Sequence, residues 1–342
     1  MSQAAPPPPA SLDPDVAWHY GDPLREQRIL AAGSARVDLS NRAVVCVAGP
    51  DRLTWLNDLT TQYLAGLRPG ESALALILSP RGHVEHELHV VDDGEVAWLV
   101  GQPGTASALA AYLDSMRFML RVEVSDRSAD FAIAWDATTH IDPRYPTWLI
   151  PADFAGGGRV DSGRDAGGDA SKYVAERPEP FAGREVVVPR AELAGWLAAA
   201  EPAGTWALEA LRVAAAVPRL GGETDHRTLP HEVGWIGPAV HLAKGCYRGQ
   251  EAVARVHNLG HPPRRLVRLH LDGSEESLPA HGDAVDVDGR TAGWIGTAAW
   301  HYELGPIATA VVKRTTPVDA PLIVRTASGV DLAATADVVV RA

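Results

Sequence analysis

Lys244-Gly245-Cys246-Tyr247-Arg248-Gly249-Gln250-Glu251 sets one of only two cysteines among two cations, an amide, a carboxylate and two glycines. A cysteine acts as nucleophile or ligand through its thiolate, and nearby positive charge favours that form. Lys244 and Arg248 are the neighbouring cations, so the spacing predicts a functional thiol at Cys246 with a pKa below that of a free cysteine. Glu251 and Lys244 are the candidate bases beside it. Gly245 and Gly249 permit backbone angles that other residues resist, which predicts a tight loop. Gln250 onward reads as a helix capped by Gly249, with free amides turned toward the thiol and favouring an anion. On chemistry alone, a structural glycine turn around a small packed cysteine accounts for the same residues equally well.

A second polar constellation is His83, Glu85, Glu87 and His89. Unbroken period-two alternation puts all four on one strand face, opposite Val84, Leu88 and Val90. That face reads as solvated. No closed ligand set with zinc spacing accompanies it, so no metal site is implied.

The elements that must carry these residues are legible in outline. A strand near 43–48 includes Cys46, which reads as core filling. It ends at Gly49-Pro50, and Asp51 then caps a helix in which Leu53, Leu56, Leu59, Tyr63 and Leu64 recur at three- and four-residue spacing, stopped by Gly66. Strands follow at 74–78, 84–90 and 96–100, then a helix over 106–119. Residues 191–200 and 206–217 read as helices, the second ended by Pro218. Past Pro262 the texture becomes short alternating strands with an Asp288-Gly289 hairpin turn, which suggests a small antiparallel barrel.

Lys-Gly-Cys-Tyr-x-Gly-Gln-Glu followed by Val253-Ala254-Arg255 resembles the signature of the YgfZ-type folate-binding proteins, relatives of the glycine-cleavage T-protein, an aminomethyltransferase. Residues 43–91, including Ala43–Asp51 and Ser79–Val84, residues 211–232 from Leu211-Arg212 through Thr228–Glu232, and the tail from about Pro262 resemble further segments of that superfamily, over residues 25–315 apart from a poor stretch at 150–175. The resemblance implies an α+β fold of three domains around a central cavity, closed by a C-terminal antiparallel β-barrel. It implies a folate-binding-like region at 25–190, a helical segment with the signature loop at 191–261 and the barrel at 262–342, while composition alone reads 1–24 as a disordered Pro-rich tail and 155–171 as a mobile Gly/Asp-rich insertion.

By the same resemblance, tetrahydrofolate or a derivative is held by Glu87, Arg212, Trp235, Tyr247, Gln250 and Arg255, while Cys246 acts with Lys244, Arg248 and Glu251. Two departures stand out. The family's acidic pair falls on His86-Glu87, and the family's pterin-pairing glutamate falls on Ala214, so loss of a charge-assisted contact weakens folate. Arg212 is left to attract a ligand's carboxylate or to stand as a surface charge. Residues 225–232 are expected to line the cavity, and Arg264-Arg265 to be solvated. The function implied is an accessory factor, rather than an enzyme, for assembly or repair of iron–sulfur clusters. Its partners are iron–sulfur client enzymes or cluster-assembly proteins, and folate. The alternatives are a tetrahydrofolate-dependent aminomethyl or methyl transferase, and a thiol-dependent hydrolase with Cys246 as nucleophile.

Composition is consistent with this reading. A chain of 342 residues has room for two or three domains. A net charge of −12 argues against nucleic-acid and anionic-membrane partners, which need a basic surface. Neither a signal peptide nor an apolar run of spanning length is present, and two distant cysteines make no disulfide framework, so the expectation is a cytoplasmic protein.

Overall fold

Period-two alternation in the Val-rich strand Ala43–Ala48 sends Val45 and Val47 to one face and Val44 and Cys46 to the other. The computed structural model, which describes residues 4–155, 158–159, 176–274 and 276–340, builds this strand into a five-stranded antiparallel sheet. Its order is Ser72–Leu78, Val84–Asp92, Val96–Gly101, Ala43–Ala48, Glu123–Asp126. The helices Arg52–Leu59 and Ala106–Met116 cover one face through Trp55, Leu56, Leu109 and Leu113. The first helix ends at Leu59, short of Tyr63 and Gly66, because Thr60 is already extended. Asp51 makes no side-chain cap. Its carboxylate instead accepts from the Arg121 backbone and guanidinium at 2.7–3.1 Å.

A second five-stranded sheet, in the order Glu201–Ala203, Ala35–Asp38, Phe131–Asp136, Arg184–Pro189, Thr147–Leu149, faces the uncovered side of the first. The helix Thr205–Ala214 follows directly from its edge strand. Beyond it, six antiparallel strands close into a barrel in the order Arg264–Leu271, Gly305–Lys313, Arg290–His301, Ala284–Val287, Leu322–Arg325, Asp331–Val338. Val267, Leu269, Val285, Ile295, Ala310 and Val324 fill its interior. The chain is thus a mixed α/β protein with a closed C-terminal antiparallel barrel, as the alternation past Pro262 predicts.

Two local expectations fail. Ile77 pairs with His86 but Leu78 pairs with Val84, so Glu85 bulges out of the ladder. The extra residue reverses the alternation. Glu87, opposite Leu76, turns inward and is 5% exposed, whereas Glu85 stays exposed. His83, Glu85, Glu87 and His89 therefore do not share one solvated face.

The N-terminal tail is the other. Residues 4–22 are folded onto the protein rather than disordered. Ala5 bridges to His19, Val16 is buried, and Trp18 stacks on Trp206 with centroids 5.7 Å apart. Proline prevents regular pairing in such a segment but does not prevent docking. The insertion expected at 155–171 falls, beyond Ala155 and the short strand Gly158–Arg159, outside the described residues. Among the described residues no helix is long and apolar enough to cross a membrane.

Candidate functional site

The inward turn of Glu87 and His89 gives the gap between the two sheets its chemistry. A cavity there is lined by Glu87 and His89 from the first sheet, Trp135, Trp148 and Glu185 from the second, and Glu209 and Arg212 from helix Thr205–Ala214. Phe154, Phe181, Arg42, Gln102 and Arg219 also line it. About 60 Å³ of it is open to water, several times the roughly 10–15 Å³ one water needs.

His89 sits at the centre of the charged wall. Its Nδ1 lies 2.7 Å from Glu185 Oε2 and its Nε2 lies 3.8 Å from Glu87 Oε1. Burial disfavours the imidazolium, but the two carboxylates outweigh it and take the His89 pKa up to about 9. Burial would raise Glu185, but His89 foremost, with Arg42 and Arg219, holds it below the usual carboxylate range. Glu87 Oε2 accepts from the Leu220 amide at 2.8 Å and from Gln102 Nε2 at 3.3 Å.

Helical spacing explains the opposite wall. Leu208, Glu209 and Arg212 fall on the cavity side of helix Thr205–Ala214, while Ala210, Val213 and Ala214 pack against Ala299 and Ile307 of the barrel. Arg212 is no surface charge. It is 5% exposed and pairs with Glu209 at 2.8 Å and Glu223 at 2.9 Å. Ala214 does not face this cavity at all. It lines a separate pocket with Leu211, His301 and Tyr302, so its methyl removes no carboxylate from the central site. Glu209 supplies one from the same helix.

The signature loop lies elsewhere. Gly249, at φ 83°, is the helix N-cap, as read from sequence. A methyl group there would sit 2.5 Å from the Ser79 carbonyl oxygen, and one on Gly82 would sit 2.8 Å from Ala252 Cβ. The loop is thus welded to the turn between the first sheet's first two strands. Gly245 meets nothing and needs no special angle, so only one of the two loop glycines is required.

Lys244 is buried, and its Nζ donates to the carbonyls of Asn57, Thr60 and Gln62. Burial pulls its pKa down to about 8 against the opposing pull of Asp58. Its ammonium is committed to the backbone rather than to the thiol. Arg248 pairs with Glu85 at 3.1 Å, and Glu251 with Arg255 at 3.3 Å on exposed side chains. The first-turn amides of Gln250, Ala252 and Val253 donate to the Tyr247 and Gly249 carbonyls, so they are not free to hold an anion. Cys246 itself is exposed, whereas Cys46 is buried.

Of the residues expected to hold a cofactor, the structure brings together Glu87 and Arg212. Trp235 is fully buried with the core and cannot stack on a ligand. Tyr247 is buried 5.2 Å from the Lys244 ammonium, Gln250 Nε2 reaches the carbonyls of Lys244 and Gly245, and Arg255 is exposed. None of them lines the cavity. Residues 225–232 do not line it either. Asp225 and Glu232 clamp Arg264 at 2.7 and 2.8 Å, and Arg265 is buried, so neither arginine is a solvated start to the barrel. Sequence reasoning missed Arg42, His89 as an ion-paired group, Trp148, Glu185, Glu209 and Arg219. The i,i+3 pair Glu209–Arg212 was the one available signal.

The chain matches no family model. It is 28% identical over 276 residues to an aminomethyltransferase of Geobacillus kaustophilus, covering 76% of this chain and 73% of the relative. An aminomethyltransferase of Nostoc sp. is 27% identical over 306 residues, 84% of this chain and 79% of the relative. A mitochondrial iron–sulfur cluster assembly factor homologue of Mycosarcoma maydis is 25% identical over 311 residues, 85% and 70% of the two chains. Among solved structures, the glycine cleavage system aminomethyltransferase T of Bartonella henselae has a TM-score of 0.72 at 19% identity, covering 97% of this chain and 92% of that one. The fold is that of the aminomethyltransferase.

Proposed function

We propose that this chain is a YgfZ-type, folate-binding accessory factor of the cytoplasm. It supports assembly or repair of iron–sulfur clusters in client enzymes through the exposed thiol of Cys246. The observation that carries the reading is the separation of two sites: a polar, aromatic-walled cavity, and an exposed thiol outside it.

A pterin is flat and edged with donors and acceptors. The cavity answers with aromatic walls at Trp135, Trp148, Phe154 and Phe181, and with carboxylates at Glu87, Glu185 and Glu209. Arg42 adds a buried guanidinium to the lining, its Nε 3.5 Å from Asp13 Oδ1. Glu87 would hold the folate, with His89 and Arg42 beside it, whereas the five N–H groups of Arg212 are taken by Glu209, Glu223, Val217 and Thr297. When bound, tetrahydrofolate supplies a carrier for one-carbon units. Similarity to an iron–sulfur assembly factor homologue supports the client reading.

The second reading, aminomethyl transfer to tetrahydrofolate, is favoured by the aminomethyltransferases among the relatives. Glu87 counts against it. One of its oxygens is already held by the Leu220 amide and Gln102, which suits an anchoring acceptor better than a proton carrier. A third, a thiol hydrolase, loses both candidate bases: Lys244 is caged by carbonyls, and Glu251 is paired with Arg255.

Titration with reduced folates, read as the thermal midpoint, tests the ligand. At a hundred times Kd, binding to the native state adds about 2.7 kcal/mol. An unmoved midpoint at millimolar folate would sink the folate reading. Turnover of the aminomethyl-carrying partner protein at the rate of a true T-protein would establish the second reading in its place. Complementation of a strain lacking its own copy tests the thiol, because a serine hydroxyl stays protonated where a thiolate is needed. Full rescue of iron–sulfur enzyme activity by Cys246→Ser would show the sulfur to be dispensable.

A further inference from the structure

The N-terminal segment reaches the cavity from behind. Asp13, 2% exposed, takes both terminal nitrogens of Arg219 at 2.6 and 2.8 Å, and its Oδ1 lies 3.5 Å from Arg42 Nε. Both guanidinium groups line the cavity, and both donate to Gln102 Oε1, Arg219 at 2.9 Å and Arg42 at 3.2 Å. Gln102 in turn contacts Glu87. Asp13 is therefore the outer partner of a cationic pair whose inner side faces the ligand space.

The same segment fixes the helix that forms the opposite wall. Helix Thr205–Ala214 has no side-chain cap. The amides of Thr205 and Trp206 donate instead to the Ala17 and Trp18 carbonyls at 2.9 and 3.0 Å. Only a glycine fits at position 204, where a Cβ would fall 2.1 Å from the Trp18 oxygen. Asn41 holds the Pro14 carbonyl at 2.8 Å, next in sequence to Arg42. These contacts link the segment to the residues on either side of the cavity.

We propose that residues 4–22 form a strap in which Asp13 is a positioning residue: it fixes Arg219 and, through that residue's shared acceptor Gln102, Arg42, so that Arg42 meets a carboxylate or other acceptor group of the cavity ligand. Three lining cations other than His89, namely Arg42, Arg212 and Arg219, need outer partners if they are to stay buried and aimed. Glu223 serves Arg212, and Asp13 serves the other two. Arg219 is shared with Glu209, whose Oε1 lies 3.4 Å from its terminal nitrogen, so Asp13 has Arg42 as its second cation. This deepens the folate reading and rests on it for the identity of the ligand.

The test uses the full chain, with 5-formyltetrahydrofolate as the calorimetric probe and amide hydrogen exchange as a ligand-free readout. Asp13→Asn should weaken binding at least about tenfold, the scale of one lost charge-assisted contact. It should also speed exchange at the Leu220 amide, which adjoins Arg219 and is held by Glu87. Val16→Ala loosens the packing of the same strap but leaves the carboxylate, so affinity should stay within about threefold. Asp13→Glu, which keeps the charge, should retain more affinity than Asp13→Asn. Equal weakening by Val16→Ala and Asp13→Asn, or an unchanged affinity in Asp13→Asn, would overturn the proposal. If the wild-type chain does not bind the probe, the folate reading fails, and exchange at Leu220 alone decides whether Asp13 positions Arg219.

Discussion

The imidazole of His89 lies flat on the indole of Trp148, with ring centroids 3.8 Å apart and planes 6° from parallel. The stack joins the two sheets across the cavity. It also holds the histidine edge-on to Glu185 and Glu87, so the ring's charge state is coupled to the stability of the fold.

A pH dependence follows from that coupling. The folded His89 pKa of about 9 lies above the unfolded value of about 6.5. Its stabilisation is therefore complete below pH 6.5 and is lost as pH rises to 9, by about 3 kcal/mol at most. Urea unfolding followed from pH 6 to pH 8 should show this fall, since above pH 8 the depressed Lys244 pKa shifts stability in the opposite sense. His89→Gln should flatten the profile over that window, and an equally steep fall in the variant would refute the assignment.

The two glycines of the signature loop should behave differently. Gly249→Ala needs an alanine at positive φ with its methyl 2.5 Å from a backbone oxygen, and should cost at least about 2 kcal/mol. Gly245→Ala enters open space and should change stability by less than about 0.5 kcal/mol. Denaturation midpoints of the two variants measure the contrast.

Position 214 offers a check on the placement of the cavity. Ala214→Glu sends its carboxylate toward the barrel and the pocket of His301 and Tyr302, away from Glu87. Desolvating it should cost about 1–3 kcal/mol of stability. Affinity for reduced folate should move less than about twofold, as read by calorimetry. Tighter folate binding would mean that the helix presents its other face to the ligand.

Thiol chemistry should separate the cysteines cleanly. Burial pushes the Cys46 thiol up to about 12, and its side chain is 5% exposed. Cys246 is open to solvent. At pH 8 iodoacetamide should label one cysteine of the native chain at least about a hundredfold faster than the other. Peptide mapping should find that label at Cys246, and Cys246→Ser should leave the unfolding transition in place.

Local pattern made much of the fold legible. Alternating valines and leucines past Pro262 need no distant information to specify strands, and Asp288-Gly289 turns one strand into the next. Gly249 was read correctly as a cap because its role depends on its own backbone angle and the helix that follows. The bulge at Glu85 was not legible. One extra residue inverts a strand's faces, and only the partner strand's register reveals it. Trp235, and the reading of Arg212 as a surface charge, failed for a related reason: neither a side chain's burial nor its partner is a property of its neighbours in sequence.

By itself the sequence determined the class of fold, the closing barrel and the segments that carry the chemistry, because these follow from periodicity, turn residues and motif. Tertiary structure alone decided which residues meet. It took Tyr247 and Gln250 out of the cavity and turned them to contacts within their own loop. It caged the Lys244 ammonium in backbone carbonyls, and it brought Asp13, Arg42, Glu185 and Arg219 from distant positions into one charged wall. Ion pairs form across space between side chains whose separation along the chain sets no distance, so that assembly exists only once the sheets have packed.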